Sequence, residues 1–220
     1  DATAGETLEI DGRPICAYFH SACGGGTANA GDVFGARRAE GRGDAALRGR
    51  PDSYCANSPY GHWVLRLDAK ALNRVGRSLA GLKRVAGIAV LDRDSSGRVA
   101  RFVLAGKPGN AVVAGTRLRM HLGPNRLRSL LCEVTMEKGA AVFSGAGWGH
   151  GVGLCQWGAR GRAEAGADYR QILAWYYPGT ALGGRVVIDY PAPVPASPTA
   201  YPLPATTMSD THGFRLPLPF

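Results

Sequence analysis

A chain of 220 residues with a hydrophobic fraction of 45% can bury a proper core, as one generous domain or two small ones. Its formal net charge of +9 draws it to polyanions such as nucleic acid, anionic lipid or bacterial wall polymers. No RNP, zinc-finger or helix-turn-helix pattern supports nucleic acid, no apolar run reaches membrane length, and no signal peptide is present.

Taken in order, Thr7 to Ile10 lead into Asp11-Gly12, a hairpin signal, and Pro14 to Phe19 return as the second strand. His20-Ser21-Ala22-Cys23 then runs into three glycines, a turn able to expose backbone N–H groups. Residues 32–50 read as a basic loop with Arg37, Arg38, Arg42, Arg48 and Arg50, more simply a solvated stretch than a grip on anionic groups. Trp63 to Leu67 reads as a strand and Asp68 as the cap of a helix from Ala69 to about Ala80, with Leu72, Val75 and Leu79 on one side. Strands are expected over Leu82–Leu91, Arg98–Leu104 and Ala111–Ala114. Thr116 is expected to cap a short helix through Leu122, and Val134–Phe143 to form a strand pair turning near Lys138-Gly139. This middle section carries no recognisable chemistry and reads as scaffold.

Glycines at 145, 147, 149, 151 and 153 alternate with Ala146, Trp148, His150 and Val152. Run as a strand, this stretch has one bare face, open to a ligand or another backbone, and one carrying an indole beside an imidazole. That pairing suits a sugar ring; the simpler reading is tight packing. A nucleotide loop fails because GxGxxG is nowhere completed: the sixth residue is His150, Val152 or Leu154. A helix is expected over Leu154–Ala165, and Asp168 with Gln171 makes a capping box for a second one. Pro178-Gly179 stops it, and a last strand is expected over Arg185–Tyr190. Residues 191–220 hold eight of the 14 prolines and read as an extended or disordered tail. The expected fold class is α+β, mainly antiparallel strands and hairpins with a few helices, ending in a helix rich in aromatics, with the domain over 1–190.

The closing stretch carries His150-Gly151-Val152-Gly153, Gln156-Trp157-Gly158-Ala159 and Tyr176-Tyr177-Pro178-Gly179-Thr180. It resembles the signature of the SpoIID/LytB family of bacterial cell-wall proteins. A second anchor is the aromatic-His-Ser step at Phe19-His20-Ser21, followed by Gly-Gly and Thr. The resemblance implies peptidoglycan glycan strands as substrate, lytic transglycosylase chemistry on N-acetylmuramoyl linkages, and an extracytoplasmic location in wall remodelling or sporulation. It also makes a cell-wall amidase a candidate partner, with a non-catalytic glycan-binding or amidase-enhancing module as the alternative.

The family's general acid is a Glu in an N-terminal segment that this sequence does not match. None of Glu6, Glu9, Glu40, Glu133, Glu137 or Glu164 has the right context, and the chain opens at Asp1 as a processed form or a fragment would. No catalytic acid is therefore assigned. The residues expected to line the glycan cleft are His20, Ser21, Trp148, His150, Gln156, Tyr176 and Tyr177.

No cofactor is required by this chemistry. His20 and Cys23 nevertheless have an H-x-x-C spacing that can give two ligands to zinc, in a region where some family members hold a metal; Cys55 and His62 are the nearest further candidates. A Cys23–Cys55 disulfide is the favoured alternative for an oxidising compartment. Cys132 and Cys155 read as small buried residues, and five cysteines without CxxC pairs argue against a zinc ribbon.

Overall fold

The computed structural model describes residues 3, 5–35, 45–183, 186 and 187. In chain order the elements are β1 (Leu8–Ile10), β2 (Arg13–Pro14), β3 (Phe19–His20), α1 (Ala30–Phe34), β4 (Trp63–Leu67), α2 (Ala69–Ala80), β5 (Arg84–Arg93), β6 (Val99–Lys107) and β7 (Ala111–Ala114). There follow α3 (Gly115–Leu122), β8 (Cys132–Glu137), β9 (Ala140–Gly145), β10 (Leu154–Cys155), α4 (Gln156–Glu164), α5 (Tyr169–Tyr176), β11 (Ala181–Leu182) and β12 (Val186–Val187). The fold is α+β and its sheets are mostly antiparallel. The Pro-rich stretch 191–220, residues 36–44 of the arginine loop and most of the expected last strand lie outside the described residues.

The β1–β2 hairpin turns at Asp11 and Gly12 with φ of 50° and 71°, the two positive values a two-residue turn of this hand needs. Its second strand is shorter than expected. β2 ends at Pro14, with the Ile15 N–H still donating to Leu8 O at 2.9 Å, and the next strand is β3, which runs parallel to β10 and sets His20 opposite Cys155. That pairing joins two segments 135 residues apart.

The middle of the chain builds one hydrophobic cluster. Sheets β4-β9-β8 and β5-β6-β7 pack with α2 and α3 around Phe102, Phe143, Leu104, Leu118 and Leu127, all fully buried. Helix α2 buries Leu72, Val75 and Gly76, one stripe at 3.6-residue spacing. Asp68 Oδ1 accepts the Ala71 N–H at 2.7 Å, and Gly81 ends the helix in the left-handed region. Asp68→Ala is expected to cost about 1 kcal/mol, read as a lower urea midpoint at unchanged slope. Helix α3 begins one residue before Thr116 and has no side-chain cap. Gly115 opens it because a Cβ there would overlap the Val99 carbonyl.

A second cluster gathers Cys23, Cys55, Val152, Cys155, Tyr176 and Tyr177, with α4 and α5 over it. Helix α4 starts at Gln156, because Leu154 and Cys155 are claimed by β10. The Asp168/Gln171 capping box forms as expected.

Candidate functional site

The glycine ribbon does not run as a regular strand. Strand β9 ends at Gly145, and Gly147, Gly149, Gly151 and Gly153 all have positive φ, from 70° to 128°. Single contacts replace the ladder: Ala22 and Trp148 exchange both backbone hydrogen bonds, and the Ala28 N–H donates to Gly151 O at 2.8 Å. The bare side faces the protein's own chain. A Cβ would stand 2.7 Å from Ala22 O at Gly147, 2.5 Å from His20 Cβ at Gly149 and 2.6 Å from the Arg98 guanidinium at Gly151, and it would overlap Tyr18 O at Gly153. Tight packing therefore explains the glycines. Val152, expected to share a face with Trp148 and His150, is fully buried.

Trp148 and His150 are each half-buried, in two aromatic groups joined by Gly149. Trp148 meets Tyr60 edge-on at 4.7 Å, and the Arg128 guanidinium lies over both rings, at 5.5 and 5.7 Å. His150 packs on Phe34 (5.4 Å), His20 (5.6 Å) and Tyr18 (6.1 Å), and Phe19 beside them is exposed. His150 Nδ1 accepts the Val152 N–H at 3.0 Å. Burial, helped by the Arg119 charge, lowers its pKa to about 4, so it is a neutral ring at neutral pH.

His20 is buried, contrary to its reading as a non-core histidine. Burial first, then the charge of Arg98, lowers its pKa to about 3. Its Nδ1 lies 3.1 Å from Val152 O, and its Nε2 is buried with no hydrogen-bond partner. Near it, Cys23, Cys55 and Cys155 are buried free thiols in place of the expected Cys23–Cys55 disulfide. Cys155, read as a bystander, stands between the other parts: it pairs across β3–β10 with His20, and its Sγ accepts the N–H groups of Cys23 (3.2 Å) and Gly158 (3.3 Å). Ser21 is half-buried and contributes its carbonyl, which accepts the Trp157 N–H at 3.1 Å. Gln156 is exposed at the start of α4.

Tyr176 and Tyr177 do not line a cleft. Both are 2% exposed. The Tyr176 hydroxyl donates to Asp52 Oδ2 at 2.5 Å, and the Tyr177 hydroxyl to Tyr18 O at 2.7 Å. Asp52 also takes Arg162 Nη2 at 3.3 Å and the Cys23 thiol at 3.7 Å, and Arg162 stacks on Trp175, 3.4 Å from the ring centre. Burial pushes the Asp52 carboxyl up, against the pull of Tyr176 and Arg162. It is sealed at 1% exposure, so it cannot reach a polymer.

Arg98 was missed by sequence reasoning. It is 2% exposed, reaches in from the β5–β6 turn and donates to the carbonyls of Cys23 (2.7 Å) and Gly26 (3.1 Å). One arginine after Ser-Ser-Gly carries no local sign of that role. A separate hollow of about 430 Å³, lined by Glu6, Ile15, Tyr169, Leu173 and Leu182 among others, includes none of the expected binding residues.

What the fold and site define is an α+β domain whose glycine ribbon is clamped over a buried histidine–cysteine centre, with half-buried aromatics along it. Residues 64–153 match a domain of unknown function (DUF8618). The chain is 30% identical to an uncharacterized protein of Brachyspira hyodysenteriae over 194 residues, 86% of this chain and 48% of that protein. It is 28% identical to stage II sporulation protein D of Bacillus amyloliquefaciens over 185 residues, 82% of this chain and 48% of that one. Over 70 residues, 32% of this chain and 10% of the relative, it is 43% identical to the amidase enhancer of Bacillus subtilis. The resemblance read from the closing motif is thus met by relatives bearing both names. The chain spans about half the length of the two relatives it matches along most of its own length.

Proposed function

We propose that this chain is a SpoIID/LytB-type domain that engages the glycan strands of peptidoglycan outside the cytoplasm, in wall remodelling or sporulation. The observation that carries this reading is the half-buried Trp148–Tyr60–Arg128 group beside His150. An indole gives a sugar ring an apolar surface to lie against, and the guanidinium held over it is complementary to a muramyl carboxylate. The positive net charge points the same way, toward an anionic wall. Similarity to the two Bacillus proteins supports the cell-wall setting. No described helix is long and apolar enough to cross a membrane.

The reaction assigned is that of a lytic transglycosylase, protonating the glycosidic oxygen while the muramyl 6-hydroxyl closes onto C1. This step needs a carboxylic acid held protonated beside the scissile bond. Among the described residues the glutamates are engaged elsewhere: Glu6 with Arg170, Glu133 with Arg93, Glu137 with Arg66, Glu164 with Arg160, and Glu9 with the Thr7 hydroxyl. His20 and His150 are both neutral at neutral pH and supply no proton. On this reading the described residues position the glycan, and each described glutamate already has a partner of its own. The similarity to the amidase enhancer favours a second reading, in which the same surface holds the strand while a cell-wall amidase acts.

Peptide-stripped glycan strands separate the two. New anhydro-muramyl ends on incubation support cutting. Co-sedimentation without new ends, with faster release of stem peptide when an amidase is added, supports enhancement; neither cutting nor co-sedimentation overturns the proposal. Trp148→Ala and Arg128→Ala are each expected to weaken co-sedimentation about 5–30-fold, the equivalent of one or two kcal/mol. Tyr177→Phe should leave it unchanged, because that hydroxyl faces the Tyr18 carbonyl.

A further inference from the structure

We propose that the solvent face of α2 and α3 docks this domain on an anionic phospholipid bilayer, with its cations on the headgroup phosphates and Met120 in the interface beneath them. The two helices pack against each other and against β7. Leu72 and Val75 on α2 and Leu118 and Leu122 on α3 enter the same core, so the opposite stripe of each helix is turned outward. On α2 that stripe carries Lys70, Arg74 and Arg77, all exposed, at i, i+4 and i+7 along about 10 Å of helix axis. On α3 it carries Arg117 and, one turn on, Met120, both exposed. Lys83, exposed just past the end of α2, adds a fifth cation. This attachment is independent of the glycan contact at Trp148.

Three observations separate this face from an ordinary solvated one. Neither helix contains an aspartate or a glutamate. The nearest carboxylate in sequence, Asp68, is turned onto the Ala71 N–H as the cap of α2. The cations are also unpaired. Among the described residues Lys70, Arg74, Arg77, Lys83 and Arg117 form no ion pair, whereas Arg66, Arg93, Arg101, Arg160 and Arg170 each face a carboxylate. Finally, Met120 is 65% exposed, more than any other large apolar side chain described. The first two observations call for an anionic occupant, and they disfavour a second copy of this chain, whose matching face would be repelled. The third selects among anions. A soluble polyanion needs only the charges, whereas a bilayer interface takes cations on its phosphates and an apolar side chain between them.

Sedimentation of the full chain with lipid vesicles tests this. Vesicles of phosphatidylglycerol and phosphatidylcholine at about 3:7 should bind the protein and pure phosphatidylcholine vesicles should not, with binding falling steeply as salt rises. The triple variant Lys70→Gln/Arg74→Gln/Arg77→Gln should bind about 100-fold more weakly, at roughly fivefold for each cation near the surface. Met120→Ser should weaken binding about 5–20-fold. All four side chains are exposed, so these variants should keep the parent's circular dichroism and Tm. The charge-matched control Arg66→Gln/Arg101→Gln/Arg160→Gln removes three paired cations and should bind as the parent does, as should Trp148→Ala. No binding to the anionic vesicles overturns the proposal, whether or not the chain binds a soluble phosphodiester polymer. So does an equal loss in the charge-matched control, which makes total charge the cause, or full binding by Met120→Ser, which removes the reason to prefer a bilayer over any other polyanion.

Discussion

Gly153→Ala destabilises the domain by about 2–5 kcal/mol, the largest effect expected of any single methyl group added to the ribbon. Two separate causes add. Gly153 sits at φ 70°, which costs an L-residue about 1–2 kcal/mol, and its Cβ would overlap the Tyr18 carbonyl oxygen and press on the Tyr177 ring at 3.2 Å. Backbone cannot move aside as a side chain can, because Tyr18 O already accepts from Leu154 N and the Tyr177 hydroxyl. Gly12→Ala is the control: its φ is 71° but nothing lies within 4 Å, so only the dihedral cost of about 1–2 kcal/mol should appear. Equal urea midpoints for the two variants would sink the packing account of the ribbon.

Asp52→Ala is expected to cost about 3–5 kcal/mol, the range for removing one partner of a buried ion pair. The Asp52 side chain is fully buried and that of Arg162 only 11% exposed, so the guanidinium left behind keeps its desolvation cost without its counter-charge. The Tyr176 hydroxyl loses its acceptor at the same time. Tyr176→Phe removes one charge-assisted hydrogen bond and should cost about 1.5–3 kcal/mol. Measured as a double-mutant cycle with Arg162→Met, the Asp52 effect should shrink strongly, because neither charge is then stranded. Additive effects in that cycle would show that the ion pair is not the source. Gly158 belongs to the same arrangement: a Cβ there would overlap Asp52 Oδ2 and the Tyr176 hydroxyl, so this helical glycine is the space the carboxylate occupies.

The elements legible in the sequence are those whose signals are local. Trp63–Leu67 and Ala111–Ala114 form with the expected bounds, Asp68 and Asp168 cap the helices they precede, and the Asp11-Gly12 turn closes its hairpin. What sequence could not supply is which distant segment approaches. The ribbon's bare face was legible, but its occupants, Ala22, His20, Arg98 and Tyr18, are set by tertiary folding. Tyr176 and Tyr177 read as cleft-lining aromatics near a helix end, yet each is turned inward by a polar partner more than 120 residues away, Asp52 or Tyr18. Cys155 looked inert because its relation to His20 depends on a two-residue parallel pairing too short to leave a pattern. Trp148 and His150 were singled out by residue type; both stand half-buried, and regular alternation does not hold them there.

The parallel union of β3 and β10 also governs how the protein is made. Phe19 and His20 leave the ribosome 135 residues ahead of Leu154 and Cys155, the strand they pair with. At about 5–20 residues per second, the early segment waits on the order of ten seconds with its cysteine and histidine uncovered. The middle sheets, whose contacts are mostly between successive strands, can form during that interval and present a finished platform. The last part of the domain to emerge thus completes the first, and a nascent chain halted before Cys155 would hold a folded centre and an open N-terminal arm.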